Sequence, residues 1–309
     1  MSDPLVTCVL LTADRPAMTN RSVRCFLSQT YERKALLIFD SGVDGLPPRR
    51  GAALVYDEGQ SPGESIIYTD AQRFRGSSIG ALRNAANELC AGTDIIAHWD
   101  SDDWSHPYRL AEQVNLLQAS QADAVGYHDM LMWLCSHEVG KAIRCSVCGG
   151  TKKPRGRSAP VDTLLCDETC AGWDAEPRVG SLWPNETADQ FGYPSPEAHL
   201  YRYSPSRDAG RYALGTSLLY WRRAWERHKF IDTREPGCAE RGGEDNRWVR
   251  EVRCVSEQSA EKQSGYEPRM IAEIHGGNSS PSMVPGILVG ENYTRVPEWD
   301  SYCRDRMKL

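Results

Sequence analysis

The stretch Asp94-Ile95-Ile96-Ala97-His98-Trp99-Asp100-Ser101-Asp102-Asp103-Trp104 runs a short apolar segment straight into three carboxylates within four positions. Ile95, Ile96 and Ala97, bounded by Gly92-Thr93-Asp94, have the pattern of a short strand buried in a parallel sheet. In an open α/β sheet, ligands bind just beyond the carboxyl ends of the strands, and that is where Asp100, Asp102 and Asp103 fall. Like charges this close repel one another, and a divalent cation relieves the repulsion. Carboxylate oxygens suit Mg²⁺ or Mn²⁺, which keep positions open for water and substrate phosphates. A solvated acidic turn ahead of the next helix is the competing reading. Pro107 suits a first helical turn, and Leu110, Val114 and Leu117 follow at helical spacing.

Outward from this stretch, strands alternate with helices. Leu5 to Leu11 is a near-continuous apolar run ending in Thr12-Ala13-Asp14-Arg15-Pro16, and Val23, Phe26 and Leu27 give the following helix its apolar face. Lys34 to Phe39 reads as a second buried strand ending at Asp40, and Ala53 to Tyr56 as a third. Ser78 to Cys90 is a helix with Ile79, Leu82, Ala86 and Leu89 on one face, and Ala122 to Tyr127 is a fifth strand. The alternation predicts an α/β fold with a mostly parallel sheet and right-handed crossovers. Polar residues then collect at three strand ends, at Thr12 to Arg15, Asp40, and Asp100 to Asp103.

With 309 residues the chain is long enough for one large α/β domain or two smaller ones. Its 36 basic and 42 acidic residues give a net charge of −6, so nothing global attracts nucleic acid or acidic membranes. No apolar run approaches the roughly 18 residues of a membrane span, and Met1-Ser2-Asp3-Pro4 does not resemble a secretory leader, so a cytoplasmic location is expected. The 11 cysteines then read as thiols or metal ligands.

The order of these features resembles glycosyltransferase family 2, whose members have the GT-A fold. The residues that carry it are the first strand with Arg15-Pro16 after it, the strand ending in Asp40, Ile79-Gly80-x-x-Arg83-Asn84, and Asp100-x-Asp102-Asp103-Trp104 followed by Pro107-x-Arg109-Leu110. Tyr212 to Leu218, Arg222-Arg223 and Gly243-Glu244-Asp245 continue it. The match covers residues 4–130 and 211–278. It implies an inverting, metal-dependent transfer of a sugar from a nucleotide-diphosphate donor, UDP-sugar favoured, to an acceptor hydroxyl on a glycan, lipid, protein or modified nucleic-acid base.

The same resemblance implies the site. Asp102 is the leading ligand for Mn²⁺ or Mg²⁺, with Asp100 reaching the metal or the ribose, and His275 completes the metal site. Donor contacts fall to Thr12, Ala13, Arg15, Asp40, Gly80, Arg83, Asn84, Asp100 and Ser101. Asp245, with Glu244 beside it, corresponds to the base that takes the acceptor proton. Read without the family, Asp40 is equally a turn cap, Arg83 a surface cation, and Glu244-Asp245 ordinary acidic residues in a first helical turn.

Residues 135–200 lie outside the resemblance. Cys145-x-x-Cys148 and, 17 residues after the knuckle, Cys166-x-x-x-Cys170 offer four thiolates for a structural Zn²⁺, against the alternative of free cysteines in an irregular loop. Lys152 to Arg157 is a basic loop. Trp173, Trp183, Tyr193, Tyr201 and Tyr203 suit either sugar stacking or local packing. The expected division is a donor half at 1–134, the cysteine-rich insertion at 135–200, an acceptor half at 201–280 and a lid-like tail at 281–309. A non-catalytic zinc-knuckle module and a nucleotidyltransferase are the other classes. The second needs an early glycine-rich, basic triphosphate loop, and Thr12 to Arg15 is not one.

Overall fold

The computed structural model describes residues 3–42, 65–134, 141–144, 178–181, 200–204, 211–233, 243–259, 267–274 and 293–307. The strands are β1 (Val6–Thr12), β2 (Lys34–Asp40), β3 (Ser65–Asp70), β4 (Ile95–His98), β5 (Trp104–Ser105), β6 (Ala124–Tyr127), β7 (Met130–Leu134), β8 (Lys141–Arg144), β9 (Arg178–Ser181), β10 (Leu200–Tyr203), β11 (Leu219–Trp221), β12 (Cys254–Glu257), β13 (Met270–Ile274) and β14 (Tyr293–Arg295). The helices are α1 (Pro16–Leu27), α2 (Ile79–Glu88), α3 (Arg109–Ser120), α4 (Arg222–Arg227), α5 (Glu244–Glu251) and α6 (Asp300–Met307). The chain forms two compact units, one of Met1–Leu131, Arg202–Ala272 and Arg304–Leu309, the other of Met132–Tyr201 and Glu273–Cys303.

The first unit is built on a seven-stranded sheet in the order β12-β6-β11-β4-β1-β2-β3. Its central strands are buried on both faces, which explains why β1 and β2 read as continuous apolar runs and not as alternating ones. β1, β2, β3 and β4 are mutually parallel, as are β6 and β12, whereas β11 runs antiparallel between β4 and β6. Registers Thr12↔Asp40 and Val9↔His98 bring the carboxyl ends of β1, β2 and β4 to one edge of the sheet.

The helices bury the faces their spacing specifies. Val23 and Phe26 of α1 are buried, and Phe26 meets Trp99 edge-to-face at 6.3 Å. Ser78 caps α2 by accepting from the Ala81 N–H at 3.2 Å. Leu82 and Ala86 of that helix are buried, but Leu89, the C-cap residue after Glu88, is half exposed. The third helix begins at Arg109, after Pro107, whose carbonyl accepts from the Thr30 N–H at 2.9 Å. Tyr220, Phe230 and Trp248 pack against one another, with Tyr220 and Trp248 4.8 Å apart, and bury much of the aromatic area that closes the sheet face. Each such ring contributes on the order of 2–3 kcal/mol through burial.

Two groups of expectations fall on residues outside those described. The third strand read at Ala53–Tyr56 lies outside the described residues, and the strand that pairs with β2 is β3. Its apolar residues sit on the sheet edge, with Ile67 50% exposed, so it lacks the buried apolar run that made the other strands legible. In the second unit, β8 and β9 form an antiparallel ladder pairing Lys141 with Ser181 and Arg144 with Arg178. Cys145, Cys148, Cys166 and Cys170, the basic loop, most of the aromatic segment and His275 lie outside the described residues. Among the described residues no helix is long and apolar enough to cross a membrane.

Candidate active site

Beyond the end of β4 the chain turns through Asp100 to Asp103, and its backbone is fixed by side chains from α1. Ser22 Oγ donates to the Asp100 carbonyl at 3.0 Å and Arg21 Nη2 to the Asp102 carbonyl at 2.7 Å. Trp99 Nε1 returns the tie by donating to the Ser22 carbonyl at 3.0 Å. A turn carrying three carboxylates is thus held through its backbone, and two of the carboxylates meet arginines. Asp102 Oδ2 receives Arg15 Nη1 at 3.0 Å, and Asp100 Oδ1 stands 3.5 Å from Arg83 Nη2.

Asp103 turns inward instead, where Thr216 Oγ1 donates to its Oδ2. Burial pushes its carboxyl well above the usual range, and Asp102 and Asp100 push further, against the Thr216 hydrogen bond and the Arg109 charge. Beneath the turn lies Arg109, fully buried. Its Nη2 donates to the carbonyls of His98 (2.9 Å) and Thr216 (3.2 Å), its Nη1 to Ser105 Oγ (2.9 Å) and its Nε to Gln113 Oε1 (3.2 Å). Gln113 Nε2 donates to the Ser217 carbonyl at 2.8 Å. One turn of α3 therefore fixes both the end of β4 and the 215–217 segment.

Arg83 links this cluster to α5. Its Nε donates to Glu244 Oε1 at 3.3 Å while its Nη2 faces Asp100, and its buried Nη1 has no hydrogen-bond partner among the described residues. Burial works against the guanidinium charge, yet Asp100 and Glu244 together hold its pKa above the ordinary value. Glu244 is raised in turn, by burial first and then opposed by Arg83 and reinforced by Asp245. Asp245 rests on Gly215: a Cβ there would stand 1.8 Å from Asp245 Oδ2. Only glycine permits that approach.

The residues expected at the donor site divide into two groups. Thr12 bonds Thr19 through its hydroxyl at 2.8 Å and receives the Ser41 N–H on its carbonyl at 2.9 Å, and Ala13 is exposed. Asp40 accepts from the Gly42 N–H at 2.9 Å and from the Tyr68 hydroxyl at 3.1 Å. The loops after β1 and β2 touch, since a Cβ on Gly42 would lie 2.5 Å from Asp14 Oδ1. Ser101 is buried within the acidic turn. Thr12, Arg15, Asp40, Arg83, Asp100 and Asp102 therefore share one edge of the sheet. Gly80 and Asn84 have other work in this structure. A Cβ on Gly80 would fall 1.9 Å from the Ile231 carbonyl oxygen. Asn84 Oδ1 accepts from Trp225 Nε1 (2.9 Å) and the Phe230 N–H (3.0 Å), and its Nδ2 donates to the Phe230 carbonyl (2.7 Å), so its amide clamps the segment after α4.

Arg21, His98, Arg109 and Thr216 are structural partners of the site to which the sequence alone assigned no role. Arg109 and Gln113 had a signal: polar residues four apart, beside the buried Leu110, Val114 and Leu117, mark a face with buried hydrogen bonds. Among the described residues no three His, Cys, Asp or Glu side chains form a group able to hold a metal. Asp100 and Asp102 are hard oxygen donors of the type that Mg²⁺ or Mn²⁺ takes, and two such ligands would leave the remaining positions to water and phosphate.

No protein-family model matches the chain, and no curated protein sequence matches it either. Solved structures are similar in outline. TarS from S. aureus superimposes with a TM-score of 0.47 at 9% identity, covering 87% of this chain and 37% of that one. TarS 1-349 in complex with UDP gives 0.46 at 11% identity over 87% of this chain and 60% of that one. The mannosyltransferase PcManGT from Pyrobaculum calidifontis, in complex with GDP-Man and Mn²⁺, gives 0.45 at 16% identity over 86% and 59%. The chain spans 37% to 60% of the length of these proteins.

Proposed function

We propose that the chain is an inverting, metal-dependent glycosyltransferase that moves a sugar from a nucleotide-diphosphate donor, UDP-sugar favoured, to an acceptor hydroxyl. The observation that carries this reading is Arg83, buried between Asp100 at the end of β4 and Glu244 at the opening of α5, with no partner for Nη1 among the described residues. It joins a carboxylate pair suited to a metal and an acidic pair suited to proton transfer within one cluster. A spare buried N–H is costly unless an acceptor satisfies it, and a diphosphate oxygen supplies one.

Asp100 and Asp102 would hold Mn²⁺ or Mg²⁺, and such an ion, when bound, would offset the charge of a departing nucleoside diphosphate. Arg15 pairs with Asp102 at 3.0 Å and fixes that carboxylate's orientation. Asp245 takes the proton of the attacking hydroxyl, and Glu244 positions Arg83. The loops at Thr12 to Arg15 and Asp40 flank the base and ribose.

Calorimetric titration of UDP, then of other nucleoside diphosphates, with and without Mn²⁺, tests the reading. Wild type is expected to bind only with metal, and Asp102→Ala to lose at least about tenfold in affinity. Absence of binding to every nucleotide tried overturns the reading and moves attention to the cysteine-bearing insertion.

A further inference from the structure

His98 ends β4 directly before the acidic turn, fully buried, and its ring is held at both nitrogens. Nδ1 lies 2.6 Å from the Gly215 carbonyl oxygen and Nε2 lies 3.3 Å from the Tyr220 hydroxyl. A carbonyl only accepts, so Nδ1 carries the proton and Nε2 is the lone pair that the tyrosine hydroxyl meets. Tyr220 is oriented for this because its hydroxyl accepts from Asn87 Nδ2 at 2.9 Å. The ring is an Nδ1–H donor with one target.

That target matters because of what lies on it. Gly215 presents its bare Cα to the Asp245 carboxylate at a distance no side chain would permit. The backbone N–H of His98 also donates to the Leu218 carbonyl at 2.8 Å, so one residue grips both ends of the turn. We propose that His98 is a positioning residue for Asp245: its Nδ1–H fixes the Gly215 carbonyl, and through it the surface on which the carboxylate rests. The catalytic consequence rests on the transferase reading above, whereas the hydrogen bond itself does not. A misplacement of about 1 Å in a reacting group costs on the order of a hundredfold in rate.

Two substitutions separate positioning from packing. In His98→Asn the amide Nδ2 stands where imidazole Nδ1 stood and keeps the donor to Gly215. In His98→Gln the polar end reaches the Nε2 position and the Gly215 donor is lost. Nucleoside diphosphate release from UDP-glucose and UDP-N-acetylglucosamine with Mn²⁺ reads kcat, and calorimetry with UDP reads donor affinity and confirms folding. His98→Gln is expected to lose about a hundredfold in kcat with UDP affinity within about twofold of wild type, and His98→Asn to stay within about fivefold on both. Equal losses in the two variants, or a kcat loss matched by lost UDP affinity, overturn the positioning role. If wild type neither binds nor turns over any nucleotide sugar, it is the transferase reading that fails. The hydrogen bond is then judged by long-range ¹H–¹⁵N correlation of the histidine rings. A proton on Nδ1 of His98 upholds it, and an Nε2–H tautomer with a bare Nδ1 overturns it.

Discussion

The two acidic segments of the site are built in opposite ways. Asp100 to Asp103 hangs from the end of a fully buried strand; its backbone is gripped by Ser22 and Arg21, and the strand end it hangs from is held by Arg109 of α3 at the His98 carbonyl. Glu244 and Asp245 open an eight-residue helix after Gly243, with no side-chain cap, and are placed by what they touch: Arg83 for Glu244 and Gly215 for Asp245. The first segment is rigid by construction, the second by contact. Groups that must grip a fixed charge suit the first arrangement, and a group that must meet an arriving hydroxyl suits the second.

The sharpest way to break this contrast is to remove the second segment's chemistry and leave its contacts. Asp245→Asn keeps shape and should lower transfer by about a hundred- to ten-thousandfold, with UDP affinity unchanged by calorimetry. A variant that transfers sugar at the normal rate removes Asp245 as the base. The first segment is better attacked through its scaffold. Arg109→Met deletes four donated hydrogen bonds in a fully buried site and should cost about 3 kcal/mol in urea unfolding, because the His98 and Thr216 carbonyls lose their donor. A cost below about 1 kcal/mol means that α3 does not hold the turn.

The smallest effect is a matter of pH. Glu244 is raised from 4.5 by burial first, so the folded state keeps its proton to higher pH than the unfolded chain does. The stability it contributes is full below the ordinary carboxylate range and is lost as pH rises through the folded value. Glu244→Gln should flatten that decline in denaturant midpoints taken between about pH 4 and pH 8, by under about 1 kcal/mol. An unchanged slope assigns the decline to Asp103 or elsewhere.

Sequence made the first segment easy to find and the second hard. Parallel strands buried on both faces write themselves as apolar runs, so β1, β2, β4 and β6 and the edge where their ligands bind were legible. β3 was not, since an edge strand with Ile67 in solvent carries no such run. Leu89 misled because helical spacing says nothing about where a helix stops. Gly80 and Asn84 sit in the same short motif as Arg83, and their contacts to Ile231, Trp225 and Phe230 come from far along the chain. No local pattern distinguishes an asparagine that meets a ligand from one that clamps a backbone. His98 posed the same problem: its partners Gly215 and Tyr220 are invisible until the antiparallel β11 brings them beside β4.

That inserted strand has a consequence for how the protein is made. β4 leaves the ribosome with one edge paired to β1 and the other waiting for Leu219 to Trp221, which follow only after the whole second unit's first segment has been synthesised. Until then an apolar strand edge stands open, and closing it is a long-range event of the slow, aggregation-exposed kind. Nascent chains that stop short of residue 221 should therefore be the ones that chaperones hold.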